Sequence, residues 1–261
     1  MNNLKKFTKQ VALYVGKIDT IQRRIGKLRS LHGMLQRQLL FEQLKIDLVI
    51  DVGANEGQFV KEIRNIFRGE IISFEPTSKA YARLVRASSR DELWKIKQLA
   101  LGEHNTTGKI NVAQLGTFSS FLKTSSYCNQ CFGPGAAGMM EETVLVRRLD
   151  EVLEETFPDL QRRRPFLKIN TQGYDLQVLK GLGDKLSYFP ALQCEVSMVP
   201  LYEDMPHWTE IISFLERAGF AIVNFLPVVE DNFAVVEFDC LMIRNNPRLA
   251  PVNDVTFNNN E

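Results

Sequence analysis

Two stretches of the chain set polar and small residues where an apolar run ends, the position at which a sheet can meet a ligand. In LVIDVGANEGQFVKEI, Leu48 to Ile63, an apolar run carries Asp51 and opens through Gly53, Asn55 and Gly57 into a helix-periodic segment; in IISFEP, Ile71 to Pro76, a second apolar run ends in Glu75. Strand, tight loop, helix, strand and acid form the nucleotide half of a doubly wound α/β domain. There, ligands sit beyond the carboxyl ends of the strands, and an acid about 20 residues past the glycine loop binds ribose hydroxyls. Glu75 lies 22 residues after Gly53.

The loop also discriminates between nucleotides. A dinucleotide fingerprint needs a second glycine where the backbone approaches the pyrophosphate, and a third for helix packing; Asn55 and Gln58 stand in those places. S-adenosylmethionine carries a ribose and no phosphate, so the turn, the close approaches at Gly53 and Gly57 and the acid at Glu75 predict that cofactor ahead of NAD. On this reading Asp51 orients the loop or the methionine amino group, and Asn55 either touches the cofactor or caps the next helix. Leu101 packs on adenine or is plain core, and Ser119 and Ser120 either donate to the methionine carboxylate or are turn residues. The competing reading is a plain tight turn at Gly53 and Gly57 with Glu75 as a strand-end surface acid.

The elements that must position these residues follow from periodicity. Strand-like runs at 48 to 52, 71 to 75 and 96 to 101 alternate with helical patterns from Gln58 and Ser78, the signature of a parallel sheet. From Gly102 to Glu142 the chain reads as irregular, with a short strand at Lys109 to Gln114 and a flexible CFGPGAAG from Cys131 to Gly138. Alternation then resumes: VLVRRL from Val144, a helix from Asp150, PFLKIN from Pro165, a helix from about Tyr174, ALQCEV from Ala191, a helix from about His207, AIVNFL from Ala221 and FDCLMIR from Phe238. The last two runs have no helix between them and so predict an antiparallel pair. The expected fold is α/β, with a seven-stranded, mostly parallel, Rossmann-like sheet. The predicted domains are a basic helical extension over 1–45, the catalytic domain over 46–245 and a polar tail over 246–261.

Length and 44% hydrophobic content allow one α/β domain with an appendage rather than two equal domains. The net charge of +1 conceals an asymmetry, since residues 1–45 carry ten Lys or Arg against two acids, leaving the extension at +8 and the remainder at −7. A basic amphipathic segment either lies peripherally on an anionic membrane surface or packs on protein. No run approaches the ~18 apolar residues of a membrane span, and no secretion signal is visible, which predicts a cytoplasmic chain, with peripheral contact at the inner membrane surface if the extension binds lipid. Cys194 and Cys240 fall in apolar runs as small core residues. Cys128 and Cys131 have zinc-type spacing without a second ligand pair nearby, so no metal is expected. Phe7, Tyr14 and Phe41 are too scattered among the basic residues to favour a nucleic-acid partner. The sequence does not fix an oligomeric state.

Taken in order, VIDVGANEGQF, SFEP, LALG at Leu99 to Gly102, SSFL at Ser119 to Leu122, FLKINTQGYDLQVLKG at Phe166 to Gly181, CEVSMVPLYE at Cys194 to Glu203 and FDCLMIR resemble the FkbM family of S-adenosylmethionine-dependent methyltransferases. The likeness spans roughly Ile46 to Arg244 and leaves the basic extension uncovered. It implies a class I, Rossmann-like methyltransferase fold and O-methylation of a hydroxyl, often on a sugar or polyketide. Members commonly read Lys-Ile-Asp where this chain has Lys168, Ile169 and Asn170, so an amide replaces a carboxylate near the expected reaction centre.

Methyl transfer is an in-line displacement, and an alcohol nucleophile also needs a group to take its proton. Asn170 cannot be that base, although it can hold a hydroxyl in line. Asp175, Glu195 and His207 are the candidate bases. Each has a structural alternative: Asp175 caps a helix, Glu195 binds neighbouring backbone, and His207 starts a surface helix. The expected activity is transfer of a methyl group to a hydroxyl of a sugar, glycan or other small metabolite. The rival, motivated by Asn170, is a catalytically silent binding or scaffolding module on the same fold.

Overall fold

The computed structural model describes residues 26, 28–114, 116–136, 138–231 and 234–244. Most of the predicted basic extension, residues 1–25, and the predicted tail lie outside them. The chain divides into two compact units, Met1–Gln43 and Leu44–Glu261. In the first, residues 28–43 are helical and form α1. No helix among the described residues is long and apolar enough to cross a membrane.

The second unit opens with β1 (Leu48–Val52), α2 (Gln58–Ile63), β2 (Glu70–Phe74), α3 (Ser78–Ser88) and β3 (Trp94–Lys97). β4 (Ala100–Leu101), β5 (Thr106–Ala113), α4 (Ser126–Phe132) and β6 (Gly138–Arg147) follow. Then come α5 (Leu149–Thr156), β7 (Pro165–Ile169), α6 (Asp175–Lys180), β8 (Ala191–Ser197), α7 (Trp208–Arg217), β9 (Phe220–Asp231) and β10 (Ala234–Arg244). Every residue of β1 and of β7 is buried, as expected for strands covered on both faces in a parallel sheet. One core cluster joins Ile50, Phe74, Leu167 and Leu192 from the strands to Leu153, Leu179 and Leu215 from the helices.

Seven strands form one sheet in the order β3-β2-β1-β7-β8-β10-β9. Neighbours from β3 through β8 run parallel, and β10 is antiparallel to both β8 and β9. This is the predicted mostly parallel sheet with its antiparallel end. The chain leaves β1 toward β2 on one side, while β7 lies on the other, so the carboxyl ends of β1 and β7 form the switch point at which open α/β sheets place their ligands. Cys194 and Cys240 face each other across β8 and β10 and are fully buried.

Two expectations need correcting. The predicted third strand splits, β3 joining the large sheet while β4 pairs in parallel with β6 in a separate three-stranded sheet of order β4-β6-β5. The stretch predicted as irregular holds an antiparallel β5–β6 pair from Thr106↔Val146 to Ala113↔Gly138, and α4, whose first turn is capped by Ser125 Oγ accepting from the Cys128 N–H at 3.2 Å. Glu141, Thr143 and Leu145 of β6 are exposed while Val144 and Val146 are buried, so one face of this pair is solvated and the strand lacks the continuous apolar run that marks β1.

Candidate active site

Backbone geometry dictates the loop after β1. Gly53 has φ 73°, and a methyl there would sit 1.8 Å from the Asn170 carbonyl oxygen, so the position tolerates neither the left-handed backbone nor the volume of a larger residue. Gly57, φ 82°, precedes α2, and a methyl on it would meet the Trp94 ring at 2.5 Å; its smallness serves the packing of α2 against β3. The loop's N–H groups are all spent inside the protein. Those of Gly53 and Ala54 go to the Phe74 carbonyl at 3.0 Å each, that of Gly57 to Ala54 O at 2.8 Å, that of Asn55 to Glu75 Oε2 at 2.9 Å, and that of Glu56 to Gln58 Oε1 at 3.1 Å. Asn55 adopts φ 48°, a backbone state asparagine tolerates better than most residues.

Glu75 is 6% exposed. Its Oε1 accepts from the Thr77 N–H at 2.9 Å and the Thr77 hydroxyl at 2.6 Å. With Asn55 on the other oxygen, three of a carboxylate's roughly four acceptor directions are taken, leaving one. Burial pushes the Glu75 carboxyl above its ordinary range, against the pull of Thr77 and Asn55.

Asp51 and Lys168 are register partners on β1 and β7. Asp51 is fully buried, with Oδ1 3.0 Å from Lys168 Nζ and Oδ2 accepting from the Ser73 hydroxyl at 2.9 Å. Lys168 also donates to Gly53 O at 2.9 Å and Val52 O at 3.4 Å. Asp51 therefore orients the loop at second hand, through the ammonium that grips the Gly53 carbonyl. Sequence reasoning gave Lys168 no role; its signal was its place beside Asp51 at the carboxyl ends of adjacent strands.

Beyond β7 and β8 lies a hydrogen-bonded cluster. Asn170 Nδ2 donates to Glu195 Oε1 at 2.8 Å. Gln172 Nε2 donates to Glu195 Oε2 at 2.7 Å and to Asn170 Oδ1 at 2.8 Å, while Gln172 Oε1 accepts from the Tyr202 hydroxyl at 2.6 Å. Burial, then the charges of Glu237, Asp239 and Asp175, drive the Glu195 carboxyl well above its usual range, opposed by Lys168. Asp175 opens α6 and is buried. Its Oδ2 accepts from the Thr171 N–H at 3.4 Å and the Thr171 hydroxyl at 3.1 Å, and burial raises it to about 6.

Asp51, Gly53, Asn55, Glu75, Asn170, Asp175 and Glu195 thus gather at the carboxyl ends of β1, β2, β7 and β8. The remaining sequence candidates are engaged in holding the fold. Ser120 Oγ donates to Gln172 O at 2.6 Å and accepts from the Leu122 N–H at 3.0 Å, tying the segment after β5 to the end of β7. Ser119 Oγ accepts from the Ala113 N–H, and Leu101 belongs to the core. His207 is exposed and caps α7, taking the Thr209 N–H on Nδ1 while Glu210 accepts the His207 N–H. Besides Lys168, sequence reasoning missed Gln172, Tyr202 and Thr77. The first two lie inside quoted motifs, but their meeting joins positions 30 residues apart.

The family description "Methyltransferase FkbM domain" matches residues 51–222. A relative, Methyltransferase sdnD of Sordaria araneosa, is 27% identical over 200 residues, covering 67% of this chain and 74% of its own. Among solved structures, the magnesium protoporphyrin IX methyltransferase (ChlM) from Synechocystis PCC 6803 with bound SAM aligns at TM-score 0.43 and 11% identity, over 85% of this chain and 81% of that one. The precorrin-6y C5,15-methyltransferase from Geobacter metallireducens GS-15 aligns at TM-score 0.42 and 11% identity, over 77% and 81%.

Proposed function

The chain belongs to the FkbM family of methyltransferases, and from that premise we propose that it is an S-adenosylmethionine-dependent O-methyltransferase acting on a hydroxyl of a sugar, glycan or other small metabolite. The observation that carries the cofactor choice is the spent loop: every N–H from Gly53 to Gly57 already has a partner within the protein. A pyrophosphate is bound by such N–H groups, and here they are taken. A ribose needs an acceptor instead, and Glu75 keeps one free direction beside the loop.

When bound, S-adenosylmethionine supplies a methyl group activated by its sulfonium. The chain's residues do the rest. Glu75 accepts from a ribose hydroxyl, and the Lys168 ammonium fixes the Gly53 carbonyl that shapes the turn. Glu195 takes the proton that the acceptor hydroxyl loses and later releases it to solvent. Asn170 aligns the hydroxyl, since an amide has no basicity to offer at neutral pH. Asp175, engaged with Thr171 at the start of α6, supports the loop that presents Asn170.

Calorimetry with S-adenosylmethionine and with NAD, followed by methyl transfer to a panel of hydroxyl acceptors, tests this reading. S-adenosylmethionine should bind tighter and Glu195→Gln should lower turnover by roughly 10²- to 10⁴-fold, the scale of general-base loss. Tighter binding of NAD overturns the cofactor assignment. Binding without transfer to any acceptor would favour the rival suggested by Asn170, a silent module on the methyltransferase fold.

A further inference from the structure

We propose that Tyr202, acting through the side-chain amide of Gln172, is a positioning residue that orients the Glu195 carboxylate toward the acceptor. The inference rests on the reading of Glu195 as the proton acceptor and adds a pair of residues to it.

Gln172 is a non-glycine residue at φ 54°, a left-handed backbone that side-chain-bearing residues rarely adopt. Its carbonyl is held there by the Ser120 hydroxyl at 2.6 Å, and the next residue, Gly173, continues at φ 86°. The arrangement delivers the side chain into a cluster where all of its donors are used. Both N–H bonds of Nε2 are committed, one to Glu195 Oε2 at 2.7 Å and one to Asn170 Oδ1 at 2.8 Å. Asn170, its oxygen held in this way, turns its own Nδ2 onto Glu195 Oε1 at 2.8 Å. Each oxygen of Glu195 thus receives one amide N–H, which fixes the plane of the carboxylate and leaves a lone pair on each oxygen.

The polarity of this arrangement is decided at Tyr202. A phenol donates one hydrogen, and the Tyr202 hydroxyl lies 2.6 Å from Gln172 Oε1, with the Phe118 carbonyl a more distant second acceptor at 3.4 Å. Burial first, then Cys128 and the acids Glu237, Glu195 and Asp175, push the Tyr202 phenol far above its ordinary range, so it remains a donor throughout the working pH range. While it donates to Oε1, the nitrogen of Gln172 must face Glu195. Without that donor the amide can turn over, presenting an oxygen to Glu195 Oε2, a contact that suits only the protonated acid. The groups facing Glu195 are Glu237 and Asp239 of β10 and Asp175 of α6, which oppose its ionisation, and Lys168 of β7, which favours it. Against three acids and burial, two oriented amide donors favour the ionised, proton-accepting form.

Tyr202→Phe removes the hydroxyl and keeps the ring, which is 1% exposed within a small core with Cys128, Leu201 and Val236. The full chain is assayed for turnover against pH, with the affinity for S-adenosylmethionine measured alongside. The expected result is an acid limb of kcat moved up by about one pH unit, a roughly tenfold loss below the limb, recovery on the alkaline plateau, and unchanged cofactor affinity. Gln172→Met, which removes both donors at similar volume, should move the limb the same way and further, and decides the matter if Tyr202→Phe does not fold. A uniform loss of kcat with the limb in place, or a rise in KM alone, overturns the positioning role. Glu195→Gln separates the two claims: full turnover in that variant refutes the base itself. Its inactivity together with an unmoved limb in Tyr202→Phe and Gln172→Met refutes only the positioning.

Discussion

Replacing Lys168 by methionine tests whether the turn after β1 is held by a buried charge. Methionine keeps most of the stem's length and volume. It removes an ammonium that is 3.0 Å from Asp51 Oδ1, 2.9 Å from Gly53 O and 5.7 Å from the centre of the Phe59 ring. Asp51, fully buried, would keep the Ser73 hydroxyl on Oδ2 and lose the cation beside Oδ1. Removing one partner of a buried pair costs about 3–5 kcal/mol, a large share of the ~5–15 kcal/mol that stabilises a typical domain. With a urea slope near ~3 kcal/mol/M, suited to a chain of this size, the unfolding midpoint should fall by about 1–2 M. Asp51→Asn should also destabilise, by stranding Lys168. The double variant, with neither charge left, should lose less than the two single losses together, the coupling being about 2–3 kcal/mol for side chains in contact. Urea denaturation of the four proteins measures this. A loss under about 1 kcal/mol in Lys168→Met, or strict additivity in the double variant, would refute the account of the pair as the clamp on Gly53.

Glu75→Ala should weaken S-adenosylmethionine binding by about 1.5–3 kcal/mol, the range for a hydrogen bond to a charged group; unchanged calorimetric affinity in a folded variant would remove Glu75 from the ribose site. The Asp175 carboxyl is raised by burial from 3.8 to about 6 in the folded chain, so between these values the folded state holds the extra proton and its stability falls as pH rises. Asp175→Asn should therefore gain on the parent by roughly 2 kcal/mol between pH 4 and pH 7, and a difference in urea midpoint that ignores pH would contradict this. The +8 charge of residues 1–45 predicts binding of the full chain to anionic vesicles at low salt, released as ionic strength passes ~0.1 M, where screening acts over about 10 Å. Indifference to such vesicles at low salt would end the membrane proposal.

What the sequence made legible was whatever local rules dictate. The β1 and β7 runs are apolar because parallel strands are covered on both faces. Gly53 and Gly57 announced a turn because few other residues accept that backbone, and Glu75 followed at nucleotide-site spacing. His207 was half legible: a residue three positions ahead of Glu210 at the start of an apolar-periodic helix fits a capping box, yet its chemistry drew attention first. The β5–β6 pair was hidden because its partners, from Thr106↔Val146 to Ala113↔Gly138, are far apart in the chain and one face is solvated, so neither strand shows a long apolar run. Lys168 was hidden for the opposite reason, being a single charge absorbed into a strand whose other residues are core. Which donor meets which acceptor depends on register between β1 and β7, and a sequence does not display register.

Asn170 gains its meaning from the same neighbourhood. As a departure from an acid it removes a base, and that loss alone would argue for a silent domain. At its position, however, the side chain lies 2.8 Å from Glu195, and Gln172 lies 2.7 Å from the same carboxylate, which already faces Glu237, Asp239 and Asp175. A carboxylate at 170 would bring a further like charge into direct contact, and one of the pair would have to hold a proton. An amide of nearly the same shape supplies an N–H instead, a charge-assisted bond to whichever acid remains. If Glu195 is the base, as proposed, the exchange of acid for amide concentrates the basicity of the site in that one residue and makes its orientation depend on two amides. On this argument Asn170→Asp does not simply restore a base. It exchanges a fixed donor for a shared proton, and its effect on turnover depends on which of the two acids gives the proton up first.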